Sequence, residues 1–321
     1  MSKKKILITG ASCFIGYHLV KALHKKNYRI YSTISKKLNS YTGVRKKRLA
    51  LLKNLGLNFY KVDLLKKNKV KQLLKKTNPD YIFHLASVDI KDKKSKRSLL
   101  KSIKKNMKFV ENLYNLLERK KNTKIIIVST NAEYAKKEGK VSESSSCNPP
   151  FNNYGLSKLS ASLRALYLGE IKKIQTIIVR VFNPIGPLDS DKKLLPQVIK
   201  SLNENKTIKL SPCNHKRDFI YIDRLIDGLI KLIHFAKTNR KYKVTLNLCY
   251  GKPTEIKSLL IKIAKLLNSN KKLLKFGVLK MRKEEPFVNY GDNIMAKNKL
   301  FWKTGNLFED ITKWIKKNND F

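Results

Sequence analysis

The segment Lys5-Ile-Leu-Ile-Thr9 runs straight into Gly10-Ala-Ser-Cys-Phe-Ile-Gly16, after which Ile15, Leu19 and Leu23 recur at helical spacing. An apolar run of strand length, a glycine-bearing turn and an amphipathic helix, in that order, constrain the fold more than any other feature of the chain. A strand that feeds a helix this abruptly returns to its sheet as a parallel crossover. Further strand-length apolar runs follow at 29–34, 58–62, 81–85, 124–129 and 176–181, with helical stripes between them such as Ile103, Met107, Val110, Tyr114 and Leu117. Six strands alternating with helices predict an α/β chain built on a doubly wound parallel sheet.

After Val181 the alternation loosens. The loop Asn183-Pro-Ile-Gly-Pro187 leads into mixed elements, with helices expected at 222–237, 255–267 and 308–317 and a strand at 245–249. A chain of 321 residues has room for two lobes. We expect a dinucleotide-binding domain over 1–181 and a smaller mixed α/β substrate lobe over 182–321, with elements near 218–250 returning to the first domain. No apolar run approaches the roughly 20 residues of a membrane-spanning helix, and the first run is too short for a secretory leader. Four scattered cysteines (Cys13, Cys147, Cys213, Cys249) have neither metal-ligand nor disulfide spacing. A cytoplasmic protein with reduced thiols, no metal and no membrane contact is expected. The formal charge is +48, yet eleven of the 71 basic residues are Arg and the lysines fall on nearly every expected helix and loop. That spread reads as a Lys-rich bias on solvated faces rather than a nucleic-acid stripe. The basic loops expected at 36–48 and 91–97 suit anionic ligands.

The first turn is where a dinucleotide pyrophosphate would bind. Backbone N–H groups at a helix start hold anions, and glycines let the chain turn tightly and the helix approach the strand. The spacing is Gly-x-x-Gly-x-x-Gly with Cys13 in the middle position. A side chain there adds bulk where backbone meets phosphate, so Cys13 is expected to weaken cofactor binding or make it sensitive to thiol modification. At the end of the second strand, Thr33-Ile-Ser35-Lys36-Lys37 carries no carboxylate for a ribose 2′-hydroxyl and offers two cations, which favours NADP over NAD.

Tyr154 and Lys158 stand four residues apart where a helix is expected to begin, and so share a face. A phenol is a poor base at neutral pH, and a nearby ammonium favours the phenolate. At about 4 Å and an effective dielectric near 20 the attraction is on the order of 4 kcal/mol before desolvation. The pair can thereby move the proton of a sugar hydroxyl. Thr130 ends an apolar strand, at the carboxyl edge where open sheets bind ligands, and can align the reacting oxygen.

Several ordered motifs accompany them: Val62-Asp63-Leu64, Pro79-Asp80 to His84-Leu-Ala86, Asn106, Ser129-Thr130 with Tyr134, Tyr154 with Lys158, Arg180-Val-Phe182-Asn183-Pro-Ile-Gly186-Pro187, Arg217-Asp218 to Asp223, and Arg282 with Glu285. Together they resemble the extended short-chain dehydrogenases/reductases, specifically the NAD-dependent epimerase/dehydratase family of nucleotide-sugar enzymes, over almost the whole chain. The resemblance implies a Rossmann domain and Thr130, Tyr154 and Lys158 as catalytic residues. The cofactor would lie along Gly10, Ser12, Cys13, Phe14, Ile15 and Gly16, then Ser35, Lys36, Asp63 and Leu64, then Leu85, Ala86, Ser87 and Asn106, reaching Tyr154 and Lys158. Thr130, Asn183, Arg217, Arg282 and Glu285 would meet the substrate, a nucleotide-diphosphate sugar. A homodimer built on the helix after Tyr154 and its neighbour at 103–117 is implied as well.

Members that dehydrate the sugar carry an Asp-Glu pair after the catalytic Thr, where this chain has Asn131-Ala132. That leaves epimerisation at carbon 4 or reduction of a 4-keto sugar. The phrase from Phe182 to Pro187 is similar to the 4-keto-6-deoxy-sugar reductases, and the Lys36-Lys37 pair suits their NADPH, so a reductase is narrowly favoured. Two readings of other kinds stand beside it: a redox-sensing or scaffold protein that has lost turnover, prompted by Cys13, and a nucleic-acid-binding dinucleotide-fold protein, prompted by the charge.

Overall fold

The computed structural model describes residues 3–88, 90, 95–117, 122–239, 241–281 and 286–318. Seven strands form one sheet: β1 (Lys5–Thr9), β2 (Arg29–Ile34), β3 (Phe59–Lys61), β4 (Tyr81–His84), β5 (Lys124–Thr130), β6 (Thr176–Val181) and β7 (Lys243–Leu248). Their order is β7-β6-β5-β4-β1-β2-β3, and every neighbouring pair is parallel. Helices α1 (Phe14–Lys25), α2 (Gly43–Asn54), α3 (Lys67–Thr77), α4 (Lys96–Asn115) and α5 (Asn153–Ile171) belong to the first half. Helices α6 (Leu194–Asn203), α7 (Ile222–Thr238), α8 (Ile256–Leu266), α9 (Ile294–Leu300) and α10 (Leu307–Asn318) belong to the second.

Both sheet faces are dry, which is why these strands read as continuous apolar runs. Ile6, Ile8, Phe83, Ile126 and Val179 face one way, with Leu19 and Leu23 of α1, Leu49 and Leu52 of α2 and Leu225 and Leu229 of α7. Leu7, Ile82, Ile125, Ile127 and Ile178 face the other, with Leu73 of α3, Val110 of α4 and Ala165 of α5. A third core gathers Val198 of α6, Leu260 and Ile263 of α8 and Ile311 of α10. Beside it a small sheet runs Thr254–Glu255, Lys216–Arg217, Val288–Gly291, Gly139–Val141. Among the described residues no helix is long and apolar enough to cross a membrane.

The strand expected at 245–249 begins at Lys243 and pairs with β6, extending the parallel sheet by one strand. Sequence periodicity reports an element's type and not its neighbour. The basic loop expected at 36–48 is only partly a loop: α2 starts at Gly43, and Arg48 is 3% exposed because it shares a side of the helix with Leu49 and Leu52. Of the second basic segment, Lys96 and Arg97 open α4, while 91–94 lie outside the described residues.

Asp218 ties the third core to the sheet. It is fully buried, and its carboxylate accepts from the backbone N–H of Tyr250 (2.8 Å), Gly251 (2.8 Å) and Gly291 (3.1 Å). Burial pushes its pKa up to about 6, with those three donors opposing.

Candidate active site

A cleft of about 590 Å³ opens at the carboxyl edge of the sheet, where ligands bind in open α/β folds. Its floor is the turn from β1 to α1. Gly10 has φ +84°, and a side-chain carbon there would stand 3.0 Å from the Ala86 nitrogen at the end of β4. A side chain at Gly16 would collide with the Gly10 carbonyl, so Gly16 is required by packing and lies behind the cleft rather than in its lining. Cys13 needs no glycine conformation, with φ −76° and ψ 164°; it caps α1, its sulfur accepting from the Gly16 N–H at 3.2 Å. Burial pushes the Cys13 thiol up, against the pull of Gly16 N–H, Arg48, Arg45 and Lys158, which holds it neutral at pH 7.

Thr9 locks the ends of β1 and β4 together. Its hydroxyl oxygen accepts from Leu85 N and Ala86 N, both at 3.2 Å, so its proton goes to Nδ1 of His84 at 2.8 Å. Burial, and then the Lys158 charge, push the His84 pKa down to about 3.

The first turns of α5 carry Tyr154 and Lys158. Asn152 caps the helix on the Gly155 N–H at 2.9 Å, and Gly155 lets it approach the Ala132 carbonyl closely. Lys158 is 6% exposed and donates through Nζ to the Val128 carbonyl of β5 at 3.1 Å, whereas Tyr154 is 39% exposed. Thr130 ends β5, and its Oγ1 caps the turn that follows by accepting from Ala132 N at 3.3 Å. All three line the cleft, as do Asn131 and Ser129.

Under that turn lies a buried carboxylate that sequence reasoning missed. Glu133 is fully buried and accepts from the Ser129 hydroxyl, from Ser162 of α5 at 2.5 Å and from Nε of Arg180 at 2.8 Å. Burial works against the Arg180 charge, but Glu133 and Tyr134 outweigh it and leave its pKa raised. The guanidinium lies 4.4 Å over the Tyr134 ring, whose hydroxyl donates to Asn247 of β7 at 2.6 Å. This network binds β5, β6, β7 and α5 beneath Thr130. The signal was a Glu in the short polar turn after an apolar strand, readable only once a partner was known.

Ser12, Cys13, Phe14, Ile15, Gly10 and Ser35 reach the cleft; so do Asp63, Leu64, Leu85, Ala86 and Ser87, and Asn183 at its far end. Lys36 does not; Arg45 of α2, which the sequence placed only within the basic segment 36–48, does. Asn106 is buried outside the lining, accepting from Val88 N at 2.8 Å and donating to Ser157 Oγ at 3.0 Å, so it braces the chain after β4 against α5. Arg217 also stands outside the lining, its Nη1 donating to the Lys216 and Phe287 carbonyls. Arg282 and Glu285 lie outside the described residues. Among the described residues no cluster of His, Cys, Asp and Glu is arranged to hold a metal ion.

A "dTDP-D-glucose 4,6-dehydratase" of Dictyostelium discoideum is 28% identical over 260 residues, 75% of this chain and 58% of that protein's length. A "CDP-abequose synthase" of Salmonella muenchen is 27% identical over 93% of this chain and 92% of its own. The crystal structure of a UDP-glucuronic acid 4-epimerase from Bacillus cereus in complex with NAD superposes with a TM-score of 0.82 at 25% identity, covering 98% of this chain and 99% of that one. The sequence model described as "NAD dependent epimerase/dehydratase family" matches residues 6–248, most of the chain and every strand of the parallel sheet, so this protein belongs to that family.

Proposed function

We propose that this chain is an NADPH-dependent reductase of a 4-keto-6-deoxy sugar carried on a nucleoside diphosphate, with Thr130, Tyr154 and Lys158 as its proton-handling group. The observation that carries this reading is the scarcity of carboxylates: among the described residues lining the cleft, Asp63 is the only one. Elimination of water needs an acid and a base at the sugar, and beside Thr130 stand Asn131 and Ala132.

The residues fit a nicotinamide dinucleotide. The Gly10 turn leaves the α1 N-terminus bare of side-chain bulk against β4, and no acidic residue occupies the first turn of α1. When bound, the dinucleotide supplies the hydride. Tyr154 donates the proton to the forming alkoxide, Lys158 holds positive charge beneath it, and Thr130 orients the oxygen. Ser35 and Arg45, both in the cleft lining, suit a 2′-phosphate, and we assign the NADP preference to them rather than to Lys36. Asn183, anchored by donating to the Asp218 carbonyl at 2.8 Å, faces the substrate. We further assign substrate-lobe work to the third core and its small sheet, with Arg217, Arg282 and Glu285 as its substrate contacts. A homodimer through α4 and α5 fits Leu100, Leu163, Tyr167 and Ile171, each more than half exposed on those helices.

The second reading is a 4-epimerase, favoured by the NAD held in the Bacillus cereus structure. Mixing the protein with NADPH and a panel of nucleotide 4-keto-6-deoxy sugars separates the two. Cofactor oxidation with a stereodefined product is expected; inertness toward every keto sugar, with interconversion of unmodified nucleotide hexoses, moves the assignment to epimerase.

A further inference from the structure

Lysine is spread along the whole chain, but carboxylates are not. The first 79 residues carry 21 Lys and Arg against a single acid, Asp63, whereas the remaining 242 carry 50 against 22. Those 79 residues fold into β1, β2, β3 and α1 to α3, and β1-β2-β3 closes the strand order with β3 at the edge. The unbalanced charge is thereby gathered at one end of the molecule. β3 lies between α2 and α3 in the chain; α2 packs on one sheet face through Leu49 and Leu52, and α3 on the other through Leu73 and Leu74. Along the exposed side of α3 stand Lys67, Lys71 and Lys75, with Asn68 and Gln72 among them and no acid. Among the described residues no Lys or Arg before Asp80 forms a salt bridge. Cations left in water at this density attract a polyanion.

Two features choose which polyanion. Leu51 and Leu55 share a side of α2 one turn apart and stand 37% and 40% exposed, beside the exposed Lys47 and Lys53. Leucines set among lysines suit the boundary between lipid headgroups and acyl chains, and they offer nothing to a phosphodiester backbone. Tyr31 and Tyr60, at the same end of the sheet, are half-buried and covered by Arg29 at 5.7 Å and Lys76 at 5.3 Å, so neither presents a bare face to a nucleobase. We propose that the β3 edge, with α2 and α3 on either side of it, is a docking surface for an anionic lipid bilayer, its lysines meeting the headgroup phosphates and Leu51 and Leu55 reaching below them. Such contact is peripheral and requires no spanning helix. Each lysine at an anionic leaflet strengthens binding roughly fivefold, and the attraction fades beyond a Debye length of about 8 Å at physiological salt.

The test sediments the full chain with phosphatidylcholine vesicles, with and without phosphatidylglycerol, at physiological salt. The wild-type chain should partition onto the phosphatidylglycerol vesicles alone and come off them as salt rises. Combining Lys67→Gln, Lys71→Gln and Lys75→Gln should weaken partitioning by more than about tenfold. Leu51→Ser with Leu55→Ser, which leaves the charge unchanged, should weaken it about tenfold. Combining Lys265→Gln, Lys313→Gln and Lys316→Gln removes the same charge from exposed positions of α8 and α10 in the third core, and should change partitioning less than about twofold. Every altered side chain is exposed, and circular dichroism melts check that each variant folds. Equal losses in the two lysine sets reduce the effect to net charge and overturn the proposal. So do equal binding to phosphatidylcholine alone, absence of binding to either vesicle, and unchanged partitioning of the leucine variant. A single-stranded oligonucleotide bound more tightly than the anionic vesicles at the same salt assigns the edge to nucleic acid instead and overturns it as well.

Discussion

Tyr154 and Lys158 occupy different environments four residues apart: the phenol lies 39% exposed at the cleft, the ammonium 6% exposed against a β5 carbonyl. Both side chains line the cleft from the first turns of α5, where the ammonium charge favours the phenolate form of the phenol. Tyr154→Phe should therefore lower kcat by about 10²–10⁴-fold while NADPH binding stays within about twofold, read by steady-state kinetics beside fluorescence titration. Arg45 and Lys36 divide in the same way by location. Arg45→Ala should cost NADPH about tenfold and NADH little, and Lys36→Ala should leave both affinities unchanged, since that side chain stands outside the cleft. Equal losses of NADPH and NADH in Arg45→Ala would detach Arg45 from the 2′-phosphate. At Cys13 the sequence suggested obstruction, whereas the sulfur turns back to cap Gly16. Cys13→Gly loses that cap, and an unchanged NADPH dissociation constant would show that the thiol does not obstruct the cofactor.

Among the elements, α4 and α5 carry the plainest surface signal. They pack on each other through Ser102, Asn106 and Ser157, linked at 2.9 to 3.4 Å, and through the Arg164–Glu111 ion pair at 2.9 Å. Leu163, Tyr167 and Ile171 stay outside that contact. Covering three such side chains is worth roughly 1.5–3 kcal/mol each, so Leu163→Glu with Tyr167→Glu should turn a dimeric mass into a monomeric one by light scattering. A wild-type chain already monomeric would remove the dimer. The strands were legible because both sheet faces are covered, which leaves apolar runs of strand length with turn residues between them; β1, β2 and β6 begin and end where periodicity puts them. Less was legible where an element's identity depends on its partner. α2 carries so many Lys and Arg residues that it reads as a loop, although Leu49 and Leu52 are in the core. The cleft residues within motifs were readable because spacing along one element fixes them. Arg45 and Glu133 were not, because each acquires its place only when a distant segment folds against it.

Over the whole molecule, buried groups pull acid stability in opposite directions: His84 and His18, the latter pushed down to about 4 by burial, act one way and Asp218 the other. His84 has a folded pKa near 3 against about 6.5 unfolded. As pH falls below 6.5 the unfolded chain takes a proton that the native state refuses, and stability drops by about 1.4 kcal/mol per pH unit. Asp218, raised to about 6 against about 3.9 unfolded, does the reverse. Between pH 6 and 4 the native state takes its proton first, so acidification stabilises by a similar slope and offsets His84. Asp218→Asn removes the offset. In urea titrations across pH 7 to 4 the variant should lose stability more steeply than wild type between 6 and 4, and parallel profiles would refute the assignment.

The long excursion from β6 to β7 also bears on how the chain is made. More than sixty residues separate the end of one strand at Val181 from the start of its sheet neighbour at Lys243. During synthesis the first six strands leave the ribosome with the outer edge of β6 unpaired, a row of exposed backbone donors and acceptors flanked by Ile177 and Val179. At roughly 5–20 residues per second that edge stays open for several seconds before β7 emerges to seal it. Fragments ending near residue 181 should accordingly aggregate, while those that reach past 248 should not.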